Sequence, residues 1–510
     1  KSSPIAPTVL ALISPESMNF YNFAPFDLQG RVLKVAITNP SNLSALEALE
    51  FLGQKQNFQV QLYLASEASI DVAIGKKRNL KKVVGEALKD FQTKEDVLKK
   101  PSIQSLGEKP QVIEEAPIIK IVDVILSNAI EGNASDIHIE PSEKDVRVRY
   151  RIDGILHTSL MLPKSIHAAI MTRIKILSNL KIDESRLPQD GRFHMDVAKK
   201  SVDLRVSILP LIFGEKIVMR ILDKTGNVPT LEQLGIRGRG LTWVNENVKK
   251  THGIFLITGP TGSGKSTTLY SILSILNTPT VNIITLEDPV EYFMEGVNQS
   301  QINPDIGLTF ASGLRSILRQ DPNVVMVGEI RDKETAEIAV HAALTGHLLF
   351  STLHTNNSIG AMPRMIDMGI EPFLLVASVN VVMAQRLVRK ICPDCRQQTE
   401  LSHPLEEEIK KSLLGIPEEY FEGLDAKKVK VYKGAGCEKC GHTGYVGRFG
   451  IYEVLPVTNE VQDLVLTKSS PRKIYEASAK FGMITMKQDG VIKVLRGETT
   501  MDEIIRVTTE

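Results

Sequence analysis

Apolar residues recur along this chain in changing rhythms, and each change of rhythm marks a new part. Near the start, Arg31 to Ile37 alternates as a strand does, and from Ser41 the residues Leu43, Leu46, Leu49 and Leu52 return at helical spacing. Together they predict a small α/β domain over residues 1–75. Lys76 to Gln111 is crowded with Lys, Asp and Glu, is broken by Pro101 and Pro110, and keeps only a faint apolar period at Val83, Val84 and Leu88. It reads as a helix plus a charged linker, residues 76–112.

A second domain, 113–225, is expected from a largely buried helix through Ile118, Ile119, Ile121, Val122, Val124, Ile125 and Ile130, stopped at Gly132-Asn133. Alternating segments follow at Ser135–Glu140, Val146–Ile152 and Ile155–Leu160, then a helix near Ser165–Leu180, then strands at Phe193–Val197, Val202–Ile208 and Lys216–Ile221. Period-two strands around a pair of helices imply a mostly antiparallel α+β unit. After a linker at 226–250, apolar strands at Ile254–Thr258, Val281–Leu286, Val324–Val327 and Leu348–Thr352 alternate with helices from about Lys265 and Asp332. That pattern means a covered, mainly parallel sheet over 251–390. A cysteine-bearing insertion at 391–444 and a helical region at 445–510 complete the chain.

Composition narrows the class without naming a function. With 510 residues the chain exceeds one ordinary core, and 42% hydrophobic with 24% charged residues is the balance of a folded globular protein. Lys and Arg number 61 against 60 Asp and Glu, a formal charge of +1, so the basic excess of a dedicated nucleic-acid binder is missing and a nucleic-acid partner is not expected. The apolar runs Gly253–Thr258 and Phe373–Met383 are too short to span a bilayer, and Lys1–Leu10 shows no export signal. A cytoplasmic location is expected.

Candidate chemistry concentrates after residue 250. Gly259, Pro260, Thr261, Gly262, Ser263, Gly264, Lys265 and Ser266 spell G-x-x-x-x-G-K-[ST] between a strand and a helix, the context of a phosphate-binding P-loop. Backbone N–H groups there face phosphates, Lys265 reaches the β/γ-phosphates, Ser266 completes Mg²⁺ coordination, and Thr267 adjoins the nucleotide. The strand ending at Leu286 runs into Glu287-Asp288-Pro-Val-Glu291, carboxylates that position Mg²⁺ or water, or else form a solvated acidic turn. Val324–Val327 ends in Gly328-Glu329 and resembles a Walker B strand whose metal-binding Asp is replaced by Gly328, leaving Glu329 as the candidate to polarise the attacking water. His347 and His354 bracket one further strand and read either as phosphate contacts or as structural histidines.

Taken together, the P-loop, Ile284–Glu291, Leu314–Pro322, Val327–Ala336 and Thr345–Thr355, in that order, resemble the type II secretion and type IV pilus assembly ATPases. The resemblance covers about Ile118 to Thr508, with a looser likeness of Phe26–Gly75 to the family's N-terminal secretion-ATPase domain. It implies a RecA-like P-loop core, hexameric rings, ATP and Mg²⁺ as ligands, and Glu329 as catalytic glutamate, with Glu287 and Asp288 in an acidic box and His347 and His354 in a histidine box. Ser135–Pro141, Arg149–Gly154 and Arg186–Arg192 resemble its PAS-like module, which supplies arginines to nucleotide; by motif match these are Arg192 and Arg205, which on position alone would read as surface ion pairs. The Arg-Leu-Gly-type motif tied to cyclic di-GMP in some members is absent, so that ligand is not expected.

Cys392-Pro-Asp-Cys395 and Cys437-Glu-Lys-Cys440 form two C-x-x-C knuckles, suited to a closed structural Zn²⁺ site, with free thiols or a redox pair as the alternatives. Within the family this insertion marks extension and secretion motors and is missing from retraction motors. The resemblance further implies an inner-membrane platform protein and a membrane-recruiting protein as partners, and a peripheral position at the inner face of the cytoplasmic membrane. A nucleic-acid translocase and a non-hydrolysing scaffold are the competing classes.

Overall fold

The computed structural model describes residues 116–509, apart from 198–199, 224–227, 423 and 425–428, together with stretches between 9 and 70 of which 23–40 and 58–65 are the longest. The expected charged linker therefore lies outside the described residues. At the N-terminal end, β1 (Phe23–Gln29), β2 (Val32–Ile37) and β3 (Gln59–Leu64) form one sheet, β1 antiparallel and β3 parallel to β2. Leu33, Val35 and Ile37 alternate inward, as the period-two pattern required, and pack on Phe23, Ala45 and Leu49. Leu49 is buried and Leu46 half-buried on a helical stretch, while Leu43 and Leu52 lie outside the described residues.

The next unit opens with α1 (Ala116–Glu131) and continues through β4 (Asp136–Pro141), β5 (Asp145–Ile152), β6 (Ile155–Pro163), α2 (His167–Leu177), β7 (Gln189–Val197), β8 (Lys200–Leu211) and β9 (Gly214–Asp223). Its six strands run in the order β6-β5-β4-β9-β8-β7, every pair antiparallel. Both helices cover one face, where Ile121, Val122, Ile125 and Ile174 meet Ile137, Val148, Leu204 and Met219. Alternation leaves the opposite face polar.

A helix, α3 (Gly238–Val248), leads into the large domain. There β10 (Gly253–Thr258), α4 (Lys265–Leu276), β11 (Ile283–Glu287), β12 (Asn298–Gln301), α5 (Phe310–Ile317), β13 (Val324–Val327), α6 (Lys333–Leu344), β14 (Leu348–Leu353), α7 (Ala361–Asp367), α8 (Pro372–Ser378) and β15 (Val379–Ile391) follow in turn. The insertion holds β16 (Arg396–Thr399), α9 (His403–Ser412) and β17 (Val431–Gly434), after which β18 (Tyr445–Pro456) returns to the sheet. Four helices close the chain: α10 (Asn459–Leu466), α11 (Pro471–Lys480), α12 (Met486–Leu495) and α13 (Met501–Thr508).

The central sheet has seven strands in the order β12-β11-β13-β14-β10-β15-β18, parallel except for the last pair. Leu256, Val325 and Leu349 enter one core layer and Phe255, Met326 and Phe350 the other, so strands covered on both faces carry unbroken apolar runs. Helix starts are set locally. Thr309 and Ser312 form a capping box on α5, and Asp332 accepts from Thr335 N–H at the head of α6.

One expectation needs correcting. The region 445–510, read as helical, begins with β18, a strand of the ATP-domain sheet whose residues Phe449–Pro456 are all buried. A continuous buried run carries no period, so strand and helix cannot be told apart there by rhythm. Its partner β15 runs on to Ile391, where its last residues reach the cysteine-bearing insertion.

Candidate nucleotide site and cysteine cluster

Six fully buried residues of β10 deliver the chain to the carboxyl edge of the sheet, where open α/β folds bind ligands. The chain then turns through the P-loop and enters α4 behind Gly264, whose φ of 88° is left-handed. A Cβ at Gly264 would stand 2.8 Å from the Gln385 amide nitrogen, and one at Gly259 would stand 2.4 Å from the Gln385 carbonyl oxygen. Glycine is required at both positions because β15 presses against the loop. Gln385, buried, donates from Nε2 to Ser263 O (2.8 Å) and accepts from Thr268 Oγ1 (2.8 Å). Lys265 Nζ donates to Gly259 O (2.8 Å) and Pro260 O (3.1 Å); burial lowers its pKa, and the Glu329 carboxylate opposes that shift. Ser266 is exposed and Thr267 half-buried on the first turn.

Glu329 follows β13 on the same edge. Its carboxylate pairs with Arg331 and lies 3.2 Å from His354 Nε2, which follows β14. Gly328 fits because its surroundings are full: a Cβ there would sit 3.3 Å from Leu286 O and 3.5 Å from Phe310 Cε1. An aspartate there would press the β11 backbone back by a few tenths of an ångström. The edge is further tied by Thr355 N donating to Thr258 Oγ1 (2.8 Å) and by Thr352 Oγ1 donating to Gly328 O (2.8 Å). Lys265, Glu329 and His354 are thus brought together.

The acidic box divides. Glu287 is buried and occupied: Tyr270 donates its hydroxyl to Oε2, while Thr285 Oγ1 (2.7 Å) and Gln299 Nε2 (3.2 Å) donate to Oε1. Burial and this carboxylate push the Tyr270 phenol far above its usual pKa. Asp288 is exposed and close enough to Arg331 to raise that guanidinium's pKa further, after the larger contribution of Glu329. Among the acidic residues, Asp288 and Glu329 therefore face the open edge and Glu287 braces the strand beneath it.

His347 is not brought to this site within one chain. It precedes β14 at the amino edge, about 20 Å away at the usual rise per strand residue, with Nδ1 3.0 Å from Ala342 O. There it closes the turn between α6 and β14.

Arg192 and Arg205 are direct cross-strand partners on β7 and β8, and Arg220 on β9 continues the row. Asp136 on β4 accepts from Arg220 (3.0 Å) and lies 3.4 Å from Arg151. Arg205 Nη1 approaches Glu291 of the acidic box at 3.9 Å, linking the two domains. Like charges opposite each other cost stability, which makes this row a poor choice for structure alone.

The four cysteines converge, with every pair of Sγ atoms within 4.8 Å. Cys392–Cys437 and Cys437–Cys440 are 3.7 Å apart and Cys395–Cys440 3.9 Å. Tetrahedral Zn²⁺ with bonds of ~2.3 Å demands thiolate edges of ~3.8 Å, whereas a disulfide would need ~2.05 Å. The amides of Cys437 (3.1 Å) and Gly444 (3.3 Å) donate to Cys440 Sγ and lower its pKa against the opposing effect of burial, whereas burial raises that of Cys395. The donor set fits zinc.

Sequence reasoning missed Gln385, Tyr270, Gln299 and Arg331. Gln385 carried a usable signal: an amide inside the apolar run of β15 must find partners when buried.

Comparison with known proteins supplies the family. Residues 111–506 match the family model described as type II/IV secretion system protein, and residues 1–78 match the MshEN domain. The chain is 41% identical over 514 residues to the type IV pilus assembly ATPase PilB of Myxococcus xanthus, covering 99% of this chain and 87% of that one. It is 41% identical over 493 residues to the type II secretion system ATPase E of Vibrio cholerae, covering 96% and 92%. A crystal structure of the pilus retraction motor PilT with bound ADP superposes with a TM-score of 0.51 at 26% identity, over 76% of this chain and 97% of that one. The chain belongs to the type II secretion and type IV pilus assembly ATPase family.

Proposed function

We propose that the chain hydrolyses ATP with Mg²⁺ as one subunit of a homo-hexameric ring, and that the ring powers type IV pilus assembly or type II protein secretion at the inner face of the cytoplasmic membrane. The meeting of Lys265, Glu329 and His354 at one sheet edge carries this reading. Among the described residues no helix is long and apolar enough to cross a membrane. In this reading the ring works through two partners, a platform protein and a recruiting membrane protein docked on the N-terminal domain.

Each residue then has a task. The P-loop amides and the first turn of α4 hold phosphate oxygens, and a short swing of the Lys265 stem carries its ammonium from loop carbonyls to the β/γ-phosphates. Ser266 would hold Mg²⁺, which neutralises phosphate charge when bound. Glu329 takes up the proton of the attacking water, with His354 and Arg331 fixing its two oxygens. Asp288 helps to orient that water or the metal. Arg192 and Arg205 serve nucleotide at a subunit boundary, where a rigid guanidinium fork matches phosphate oxygens. Cys392, Cys395, Cys437 and Cys440 hold a closed structural zinc.

Steady-state phosphate release over a range of chain concentrations tests the reading. Specific activity that climbs with concentration and disappears in Glu329→Gln supports ring assembly with shared sites. Absence of turnover at every concentration, with nucleotide still bound, would replace the motor by a scaffold.

A further inference from the structure

We propose that Glu453 is a positioning residue for hydrolysis, fixing the loop behind His354 to the first turn of α12. The inference rests on the ATPase reading above but concerns a residue outside the nucleotide site, on β18.

Glu453 is 5% exposed and, among the described residues, has no ion-pair partner. Its Oε1 accepts from Ser358 N (2.9 Å) and Ser358 Oγ (2.6 Å), and its Oε2 accepts from Met486 N at a longer 3.4 Å. Burial raises the pKa of this carboxyl group, and the donors from Ser358 and Met486 only partly offset that. A buried acid without a cation is a costly way to fill space, since an apolar residue of like volume would serve packing better. Its worth must lie in what it holds.

What it holds is the segment that carries His354. At one end Thr355 is bonded to Thr258, the residue just before the P-loop. Three residues later Ser358 is clamped by Glu453. The loop is thereby pinned on two strands, β10 and β18, and His354 stays 3.2 Å from Glu329. The other oxygen faces the start of α12, whose next residue, Lys487, pairs with Glu408 of α9 in the cysteine-bearing insertion (2.7 Å). Glu453 therefore stands between the loop beside the catalytic glutamate and the helix that touches the insertion. The P-loop has a separate anchor in Gln385.

That separation predicts a split in kinetics. Glu453→Ala should lower kcat about tenfold or more, because a shift on the scale of 1 Å beside a reacting group has large cost, while KM and nucleotide affinity change less than about threefold. Glu453→Gln keeps an oxygen for Ser358 and should return kcat to within about threefold of the parent. Amide hydrogen exchange on the full chain supplies a readout that needs no turnover: Glu453→Ala should speed exchange at Ser358 about tenfold or more, and at Thr355 much less. Unchanged kcat, an equal loss of affinity and turnover, or unchanged exchange at Ser358 overturns the proposal. Should the parent chain lack turnover, the ATPase reading falls, and the exchange comparison still decides whether Glu453 clamps the loop.

Discussion

Glu287 and Glu329 close neighbouring strands of one sheet, yet their surroundings give them opposite duties. Three donors consume the Glu287 oxygens, whereas Glu329 is met by an exposed arginine and a histidine at the open edge. Replacing Glu329 by Gln should reduce phosphate release by at least ~10²-fold, the usual scale for losing a general base, with fluorescent nucleotide still binding. Tyr270→Phe tests the other carboxylate. Loss of its hydroxyl leaves a buried oxygen short of a donor and should lower unfolding free energy by about 1–3 kcal/mol in urea titration, with turnover changed far less than in Glu329→Gln. A Tyr270→Phe chain of normal stability but low activity would return Glu287 to the chemistry.

At the scale of elements, legibility depended on amphipathicity and on turn chemistry. The P-loop announced itself because its glycines sit between a strand and a helix, and the domain of α1 to β9 did so because its strands are covered on one face only. Strands covered on both faces, β15 and β18, carry no period, and the short polar β12 (Asn-Gln-Ser-Gln) carries no apolar signal at all. The partition of the acidic box was equally hidden, since Tyr270, Thr285 and Gln299 reach Glu287 only through the fold. The same holds for Glu503 on α13, which accepts from Arg506 and from both the backbone and side chain of Arg389 on β15. Burial pushes its carboxyl upward, but these donors win and bring it down to about 2. The stabilisation is therefore complete above the unfolded carboxylate range, near pH 4.3, and fades as pH falls toward 2. Glu503→Gln should lose about 3 kcal/mol near neutrality, as expected when one member of a buried pair is removed, and should converge with the parent in acid. Parallel acid limbs for the two chains would refute this assignment.

For the whole molecule, the cysteine cluster and the arginine row act at separate places. Cys392 directly follows β15, and its amide donates to Gly444 O just before β18, so a metal there staples the far end of the ladder whose middle supports the P-loop. Cys392→Ser should release zinc, measured by a colorimetric chelator, and raise hydrogen exchange locally within 392–444 while the sheet core stays protected. Stoichiometric metal retained by the variant would dismiss the site. The arginine row has a different consequence, which belongs to storage and handling. Asp136 offsets Arg220, but Arg192 and Arg205 face each other across β7 and β8 with only the long 3.9 Å approach of Glu291 beside them, and a separate chain bears that repulsion. Salt shortens the reach of such charges from about 30 Å at 0.01 M to about 8 Å at 0.15 M. Dilute buffer should thus lower the melting point of the separate chain, and a polyanionic ligand at the row should restore it at concentrations too small to screen anything.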